Sequence, residues 1–523
     1  MKRIFTIFIA LVFVATGCDK EVIVDQQLKE LNPISIDESA KDWSLLLITD
    51  PASQAPLAAP VNNENDAGFK AEVEAVKTLQ AGLTEAQRKS IEYWSAGGIL
   101  RWNEIMRGLV AKYNLPPAPL PNGTYPGPDA ENPFGDPNFP FANPPYAARA
   151  YSYVSAAHYD AMKITWRYKY QYNRPSPYNA DSDVKALMAK TSLPGYPSED
   201  AVMSGVSSEI LKLMFPAAVE EITLRAAEQR NAALWAGKAV KSDIDEGLKL
   251  GKAVAAVFIA RAKSDGMAAS VGNPNLWAAL KKNAEDRQEI AWMSLEVPPR
   301  PPMLPFFGLR NFNGVAGGVK SWMMTSENFD EERPAAPPPT ASEEMAKEVE
   351  EVKYYSKHVT RERLAIVHKW ADGVGTSTPP GHWDEIASHY VEAASMSEVR
   401  ASRVFAYLNM ALHDAAIGCW DTKFYYFNPR PSQLDNTIKT ATGVPNFPAY
   451  TSGHSTFSGA AAAVLSYLFP EGTNYFNEQA EEAMWSRLYG GIHYRSDCQV
   501  GLDHGKRIAG YTIDFAKNDG ADQ

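Results

Sequence analysis

The sequence has 523 residues, of which 45% are hydrophobic and 22% are charged, proportions that are typical of a globular protein. This length is sufficient for two or more domains, each with a hydrophobic core of its own. The formal net charge of -11 argues against a general nucleic-acid surface. Any anion site must therefore be a local basic pocket.

Residues 1–17 are typical of an export signal. Two basic residues precede an apolar run over 4–14, and small residues lead to Cys18. The stretch Ala-Thr-Gly-Cys resembles a bacterial lipoprotein box, which implies lipidation of Cys18; a cleaved signal peptide with a chance cysteine is the alternative. No later apolar run approaches the ~20 residues of a membrane span. We expect an exported chain that only a lipid anchors to the cell envelope, in the periplasm or at the outer membrane.

Two segments 254 positions apart align without a gap: "RAYSYVSAAHYDAMKITW" (149–166) and "RVFAYLNMALHDAAIGCW" (403–420). Such self-similarity indicates a duplicated structural unit. After an N-terminal tether with the first helices over 18–80, we predict two related four-helix-bundle units, at 81–295 and 346–520, in an all-α fold. The proline-rich segment 296–345 between them cannot continue a helix and predicts an extended connection.

The segment 403–420 carries apolar residues at helical spacing, such as Val404, Leu408, Ala411 and Ala415. This pattern predicts an amphipathic helix with one apolar stripe. Chemistry-bearing residues of the second unit are replaced in the first: Ser198-Glu199-Asp200 stands opposite Ser452-Gly453-His454, and Ala233 and Ala239 stand opposite Arg487 and His493. We therefore expect the first unit to be a scaffold and the second to be active.

The second unit places basic residues and histidines at helix ends. Three cations beside a helix N-terminus suit a tetrahedral oxyanion, because charged donors bind it strongly. Two histidines add a nucleophile or metal ligand and a general acid–base. Taken singly, each residue is explained as well by surface charge, helix capping or a loop histidine. The ordered set is Lys423, Arg430, Ser452, Gly453, His454, Arg487 and His493.

Three motifs in this order, "KFYYFNPRP", "SGH" and "SRLYGGIH", resemble the superfamily that joins type 2 phosphatidic acid phosphatases with vanadium-dependent haloperoxidases. The resemblance implies a pocket for vanadate or phosphate and a vanadium chloroperoxidase-like fold. Over roughly residues 90–515 the chain is similar to the bacterial haloperoxidases. Trp420 and Phe447 resemble the halide side of that pocket, although Trp166 at the matching place in the first unit favours core packing for Trp420.

The resemblance also implies roles. His493 would be the vanadium ligand, and His454 would carry protons. Halide would be oxidised by hydrogen peroxide through a peroxovanadate that Lys423 polarises. The other residues would bind the oxygens of vanadate: Lys423, Arg430, Arg487, Ser452 and the Gly453 amide.

The alternative reading of the motifs is an exported non-specific acid phosphatase that forms a phosphohistidine on His493. An oxyanion-binding lipoprotein without catalysis is a third possibility. Pro429 and Thr451 depart from the family pattern, which often has tryptophan and proline at these places. The halide or ester, the physiological cofactor and the oligomeric state are left open.

Five further residues complete the expectations. His382 is placed by the resemblance near the pocket mouth, His413 is expected to be buried and hydrogen-bonded, and His504 is expected on a helix surface. Cys419 and Cys498 form either a disulfide, which an exported compartment permits, or two buried thiols.

Overall fold

The structure, a computed structural model, describes residues 28–113, 144–296 and 299–521. The predicted signal and Cys18 lie outside these residues. Within them all regular structure is helical, apart from one isolated bridge between Phe312 and Val315. The all-α prediction is therefore confirmed. Across the same ranges, no helix combines the length and the apolar character that crossing a membrane requires.

The α-helices of the N-terminal half are α1 (Pro51–Gln54), α2 (Ala67–Ala81), α3 (Glu85–Trp94), α4 (Gly98–Tyr113), α5 (Pro144–Tyr172), α6 (Pro177–Ala180), α7 (Glu199–Met214), α8 (Val219–Trp235), α9 (Lys241–Ala262) and α10 (Pro274–Asp286). Those of the C-terminal half are α11 (Ser326–Glu332), α12 (Glu343–Lys357), α13 (Arg361–Lys369), α14 (Thr378–Ala393), α15 (Glu398–Tyr426), α16 (Pro431–Leu434), α17 (Gly453–Leu468), α18 (Thr473–Tyr489) and α19 (Arg495–Ala516). Short 3-10 helices cover Glu38–Asp42, Pro216–Ala218, Met267–Ala269, Pro305–Phe307 and Pro470–Gly472.

Helix α15 lies at the centre of the molecule. It packs against α5, α14, α17 and α19, and nearly every residue from Glu398 to Phe424 is buried. The apolar spacing correctly predicted a helix. It predicted burial on one face only, whereas the structure buries the helix on all its faces. Small side chains on its other faces, such as Ala406 and Gly418, fit against neighbouring helices and so extend the contact around the helix.

Packing contacts recur between the two halves. Helices α5, α7 and α9 pack against one another as α15, α17 and α19 do. A buried ion pair joins Arg149 Nε to Asp265 at 2.7 Å, and 254 positions later Arg403 Nε pairs with Asp519 at 2.6 Å. These recurrences support the proposal of two related units at 81–295 and 346–520.

The connection between the two proposed units packs on the core. Phe306 and Phe307 are buried, and a Cβ added to Gly308 would lie 2.1 Å from the Asp421 amide nitrogen of α15. Glycine is therefore required for this close approach. The segment contributes side chains to the common core, while the boundaries at 296 and 345 stay a proposal.

Helices α17 and α19 cross with their backbones in contact. A Cβ on Gly459 would lie 2.1 Å from the Leu502 carbonyl oxygen, and one on Gly505 would lie 2.0 Å from that of Thr456. Only glycine permits so close a crossing. The crossing brings the N-terminus of α17 to the first turn of α19. There the Ser452 amide donates to the Asp497 carbonyl oxygen at 2.9 Å.

The expected surface position of His504 is wrong. The residue is 1% exposed, because α15 covers that face of α19, and a Cβ on Gly418 would approach the imidazole to 3.3 Å. His413 is buried and hydrogen-bonds the Lys320 carbonyl oxygen at 3.3 Å, which confirms its prediction. Cys419 and Cys498 are free, buried thiols.

Candidate active site

Lys423 occupies the last turn of α15 and is fully buried. Its ammonium donates to the carbonyl oxygens of Pro448 at 2.8 Å and Ala449 at 2.9 Å, and it lies 5.0 Å from the centre of the Phe447 ring. Burial lowers the pKa of Lys423 to about 7, because removal from water disfavours its charged form. An anion bound beside it would restore the charge.

Arg430 directly precedes α16 and has 0% exposure. Its Nε donates to the Phe447 carbonyl oxygen at 3.0 Å, and Nη1 donates to that of Ile492 at 2.9 Å. The remaining nitrogen, Nη2, is buried and has no hydrogen-bond partner among the described residues. Buried donors are nearly always satisfied, so this unused donor indicates space for an acceptor.

His493 lies between a carboxylate and a guanidinium. Its Nδ1 is 2.8 Å from Asp497 Oδ2, and its Nε2 is 3.0 Å from Arg430 Nη1. Because a guanidinium only donates, Nε2 accepts and the proton resides on Nδ1. Burial holds the pKa of His493 well below its usual value, and the neighbouring cations act in the same direction. Nε2 is therefore unprotonated, and its lone pair accepts from Arg430 Nη1.

Asp497, in the first turn of α19, orients this histidine. Its Oδ2 also accepts from the Tyr494 amide at 3.1 Å, and burial raises its pKa to about 7. Sequence reasoning missed this residue. Its spacing of four from His493 at a helix start was the pattern that could have identified it.

Ser452 is the N-cap of α17. Its Oγ accepts from the Ser455 amide at 3.3 Å, which leaves the hydroxyl hydrogen available to a further acceptor. Gly453 follows as the first helical residue, and such a position has no intrahelical acceptor for its N–H. A Cβ added to Gly453 would have Trp420 Cζ3, 4.0 Å away, as its nearest neighbour. Open space therefore borders this amide.

Arg487 of α18 is 1% exposed and ties this helix to the end of α13. Its Nη2 donates to the Trp370 carbonyl oxygen at 2.5 Å and to that of Val367 at 3.3 Å, while Nε donates to Ser486 Oγ at 2.8 Å. Burial lowers its pKa to about 10, which keeps the guanidinium charged at neutral pH. The positive charge of Arg487 reaches both histidines, because it contributes to lowering the pKa of each.

His454 is the second residue of α17, and its side chain is 14% exposed. Its Nε2 has no hydrogen-bond partner among the described residues and is 3.8 Å from Asp372 Oδ2. Burial holds the pKa of His454 well below its usual value, with added repulsion from Arg487 and His382. The side chain is therefore neutral and able to accept a proton.

Asp372 was also missed, and no sequence spacing marks it, because it follows α13 in a separate stretch of chain. Its carboxylate is 3.1 Å from His382 Nδ1, and the His382 ring stacks on Trp370 at 4.2 Å. The structure thus brings His382 to the group around His454, where the resemblance placed it. Its contact with a substrate stays a prediction.

The Trp420 and Phe447 rings lie 4.9 Å apart. Trp420 is fully buried and donates from Nε1 to the Met303 carbonyl oxygen at 3.1 Å, while Phe447 lies about equally close to Lys423 and Arg430, at 5.0 and 5.1 Å. Trp420 packs in the core and also borders Gly453, while its place on the halide side of the pocket stays a prediction. These rings form an apolar side to the basic pocket.

The structure therefore brings together all the residues that the sequence singled out in the second unit. Buried cations, an unused Arg430 donor, a helix N-terminus and open space at Gly453 fit a tetrahedral oxyanion such as vanadate or phosphate. His493 contributes an unprotonated nitrogen, and His454, next to Gly453, is a second neutral histidine.

Residues 403–520 match the family model described as the PAP2 superfamily. Among solved structures, the chain is similar to a bacterial vanadium-dependent iodoperoxidase, with 22% identity over 71% of this chain and 91% of the other and a TM-score of 0.53. An apo-type bacterial vanadium-dependent chloroperoxidase matches with 14% identity over 72% of this chain and 95% of the other and a TM-score of 0.52. No curated protein sequence matches. Residues 403–520 are thus similar to the PAP2 superfamily, within a chain whose all-α fold is like that of two bacterial vanadium-dependent peroxidases.

Proposed function

We propose that the chain is a vanadium-dependent haloperoxidase, which oxidises a halide with hydrogen peroxide. The supporting observation is the state of His493, whose unprotonated Nε2 lies beside Arg430 among buried cations while Asp497 accepts from Nδ1. The two similar structures are vanadium-dependent peroxidases, which favours this chemistry. Export and lipidation of Cys18 are part of the same proposal.

His493 would hold vanadate through Nε2, and the buried cations would neutralise its oxygens. Neutral donors would come from the Ser452 hydroxyl and the Gly453 amide, which lies at a helix N-terminus. Bound vanadate would supply Lewis-acid activation of hydrogen peroxide. The residues assigned to binding are Lys423, Arg430, Ser452, Gly453, Arg487 and His493.

His454 would accept the proton that hydrogen peroxide releases and would return it to the product. Its neutral state and its free Nε2 suit general acid–base catalysis. Asp372, 3.8 Å away, would stabilise the imidazolium that forms. Lys423, which is fully buried, would supply positive charge that polarises hydrogen peroxide toward the halide.

Trp420 and Phe447 would form the halide side of the pocket, because their rings exclude water beside Lys423 and Arg430. A dry environment strengthens the attraction between these cations and an anion.

The PAP2 match favours a second candidate, an acid phosphatase. His493 Nε2 would attack phosphorus to form a phosphohistidine, and His454 would protonate the leaving oxygen. The same residues serve both reactions, since the pocket accepts either tetrahedral anion.

Purified protein loaded with vanadate should brominate or iodinate a phenol dye when hydrogen peroxide and bromide or iodide are added. The phosphatase alternative predicts turnover of p-nitrophenyl phosphate that vanadate inhibits. The matched control for both assays is the exposed-histidine variant His358→Ala, which leaves the pocket unchanged. If His493→Ala keeps the haloperoxidase and phosphatase activities of the wild type, both proposals are contradicted.

A further inference from the structure

The first unit contains a counterpart of the oxyanion pocket at matching positions. Lys169 Nζ donates to the Pro194 carbonyl oxygen at 2.5 Å, as Lys423 donates to that of Pro448, 254 positions later. The Ser198 amide donates to the Asp243 carbonyl oxygen at 3.1 Å, which reproduces the contact of Ser452 with Asp497. The backbone frame of an anion pocket is therefore present twice.

Ser198 also caps its helix as Ser452 does, since each Oγ accepts the amide three positions on at 3.3 Å. The difference lies at the next residue, where Glu199 replaces Gly453. Its carboxylate lies 2.8 Å from Lys169 Nζ and 3.1 Å from Lys238 Nζ, and its side chain is 10% exposed. A negative group thus lies beside the lysine that corresponds to Lys423.

The surrounding substitutions are consistent with a permanent internal anion. Lys238 stands where the second unit has Ile492, and it also pairs with Asp200 at 2.7 Å. Burial alone would raise the pKa of Glu199, but Lys169 and Lys238 outweigh it and lower the pKa to about 2. The carboxylate is therefore ionised at any physiological pH.

We propose that the first unit holds a second oxyanion pocket which the Glu199 carboxylate occupies from within, so that removing this side chain opens it to phosphate, sulfate or vanadate. The wild-type protein then has one exchangeable oxyanion site per chain. The loss of Arg487 and His493 counterparts, as Ala233 and Ala239, leaves the first pocket able to bind but not to react.

The test is titration calorimetry of the full chain with inorganic phosphate. Glu199→Gly, which copies the second unit, should bind one phosphate more than wild type. Glu199→Gln fills the same space and should add none. Adding Lys169→Met to Glu199→Gly should remove the gained site, because the buried ammonium is lost.

A reciprocal variant tests the same idea in the second unit. Gly453→Glu places its Cβ without a clash, because the nearest atom to an added Cβ is 4.0 Å away. Its carboxylate should pair with Lys423 and remove phosphate binding there. The double variant Gly453→Glu/Glu199→Gly should bind one phosphate, now in the first unit.

Equal stoichiometry in wild type and folded Glu199→Gly would overturn the proposal. So would a Glu199→Gly protein whose thermal unfolding shows no stabilisation by phosphate, since an emptied pocket must gain from an anion. If wild type binds no phosphate but Glu199→Gly binds one, the proposed function of the second unit fails while this inference stands.

Discussion

At the level of single residues, the site depends on which nitrogen of His493 carries the proton. Arg430 and Asp497 determine this together, because one only donates and the other accepts. Hydrogen-bond partners of this kind orient a ligating histidine and strengthen its basicity.

Replacing Asp497 with asparagine should weaken oxyanion binding by about 10- to 100-fold, the usual effect of losing such a partner. The amide no longer stabilises the proton on Nδ1, so Nε2 becomes a poorer ligand. Equilibrium dialysis with vanadate measures the change. Asp514→Asn, on the exposed face of the same helix, is the control, and equal affinities in the two variants would contradict the assigned role.

His454→Ala should retain vanadate and phosphate but lose about 10²–10⁴ in turnover, the usual contribution of general acid–base catalysis. The reason is that Lys423, Arg430 and His493 are held by hydrogen bonds to other residues, which this change leaves intact. Parallel measurements of affinity and turnover separate the two effects. Wild-type turnover in this variant would refute the role.

Sulfate affinity should fall as pH rises through about 7. Lys423, whose burial-lowered pKa is about 7, then loses its positive charge, and Asp497, whose burial-raised pKa is also about 7, gains a negative one. Both changes disfavour anion binding. Each proton lost lowers the affinity by up to about tenfold per pH unit. Sulfate keeps its charge over this range. Lys423→Arg should flatten the slope, because arginine stays charged.

Sequence reasoning found those site residues whose spacing within one stretch is regular, such as Lys423 with Arg430 and Arg487 with His493. It did not find Asp372. That carboxylate reaches His454 because contacts between distant parts of the chain, such as that of Arg487 with Trp370, tie the end of α13 to α18. Tertiary contacts of this kind leave no periodic pattern in the sequence.

At the level of helices, the crossing of α17 and α19 determines the site geometry, because it joins Ser452 to Asp497. Apolar spacing identified the helices themselves, including the segment that became α15. It could not show that His504 would be covered, since covering depends on which neighbour packs there. Likewise, whether a helix is buried on all faces depends on its position among the other helices. The spacing of apolar residues in its own sequence does not determine this.

Gly505→Ala should destabilise the protein by about 1–3 kcal/mol, the usual cost of overpacking. Its Cβ would lie 2.0 Å from the Thr456 carbonyl oxygen and would push α17 away from α19. Gly510→Ala is the matched control on the same helix, because no atom lies within 4 Å of its added Cβ. This control should gain about 0.5–1 kcal/mol from helix propensity. Urea unfolding compares the stabilities of the two variants. Similar midpoints would contradict the close approach of α17 and α19 at Gly505.

At the level of the whole molecule, two similar helix groups meet through α5 and α15 and share one core. The sequence repeat at a spacing of 254 predicts two related units, and contacts such as Arg149 with Asp265 and Arg403 with Asp519 support that proposal. The close contact of the proline-rich connection with that core could not be predicted, because proline indicates only where helices end.

Vanadate should stabilise the whole chain against unfolding, because the pocket joins α13, α15, α17, α18 and α19. At a free concentration about 100 times Kd, the gain is about 2.7 kcal/mol. Thermal unfolding with and without vanadate measures it. His493→Ala should lose the gain, and its persistence there would place the bound anion elsewhere.

The wall of the pocket is assembled from chain segments near residues 370, 420–454 and 487–497, and α19 completes it. During synthesis these last residues emerge late, so no partial chain has a site with all its donors in place. Loading must therefore follow completion of the polypeptide, in whichever compartment the chain finally folds. Availability of the anion there, rather than where translation occurs, sets how much of the protein becomes active.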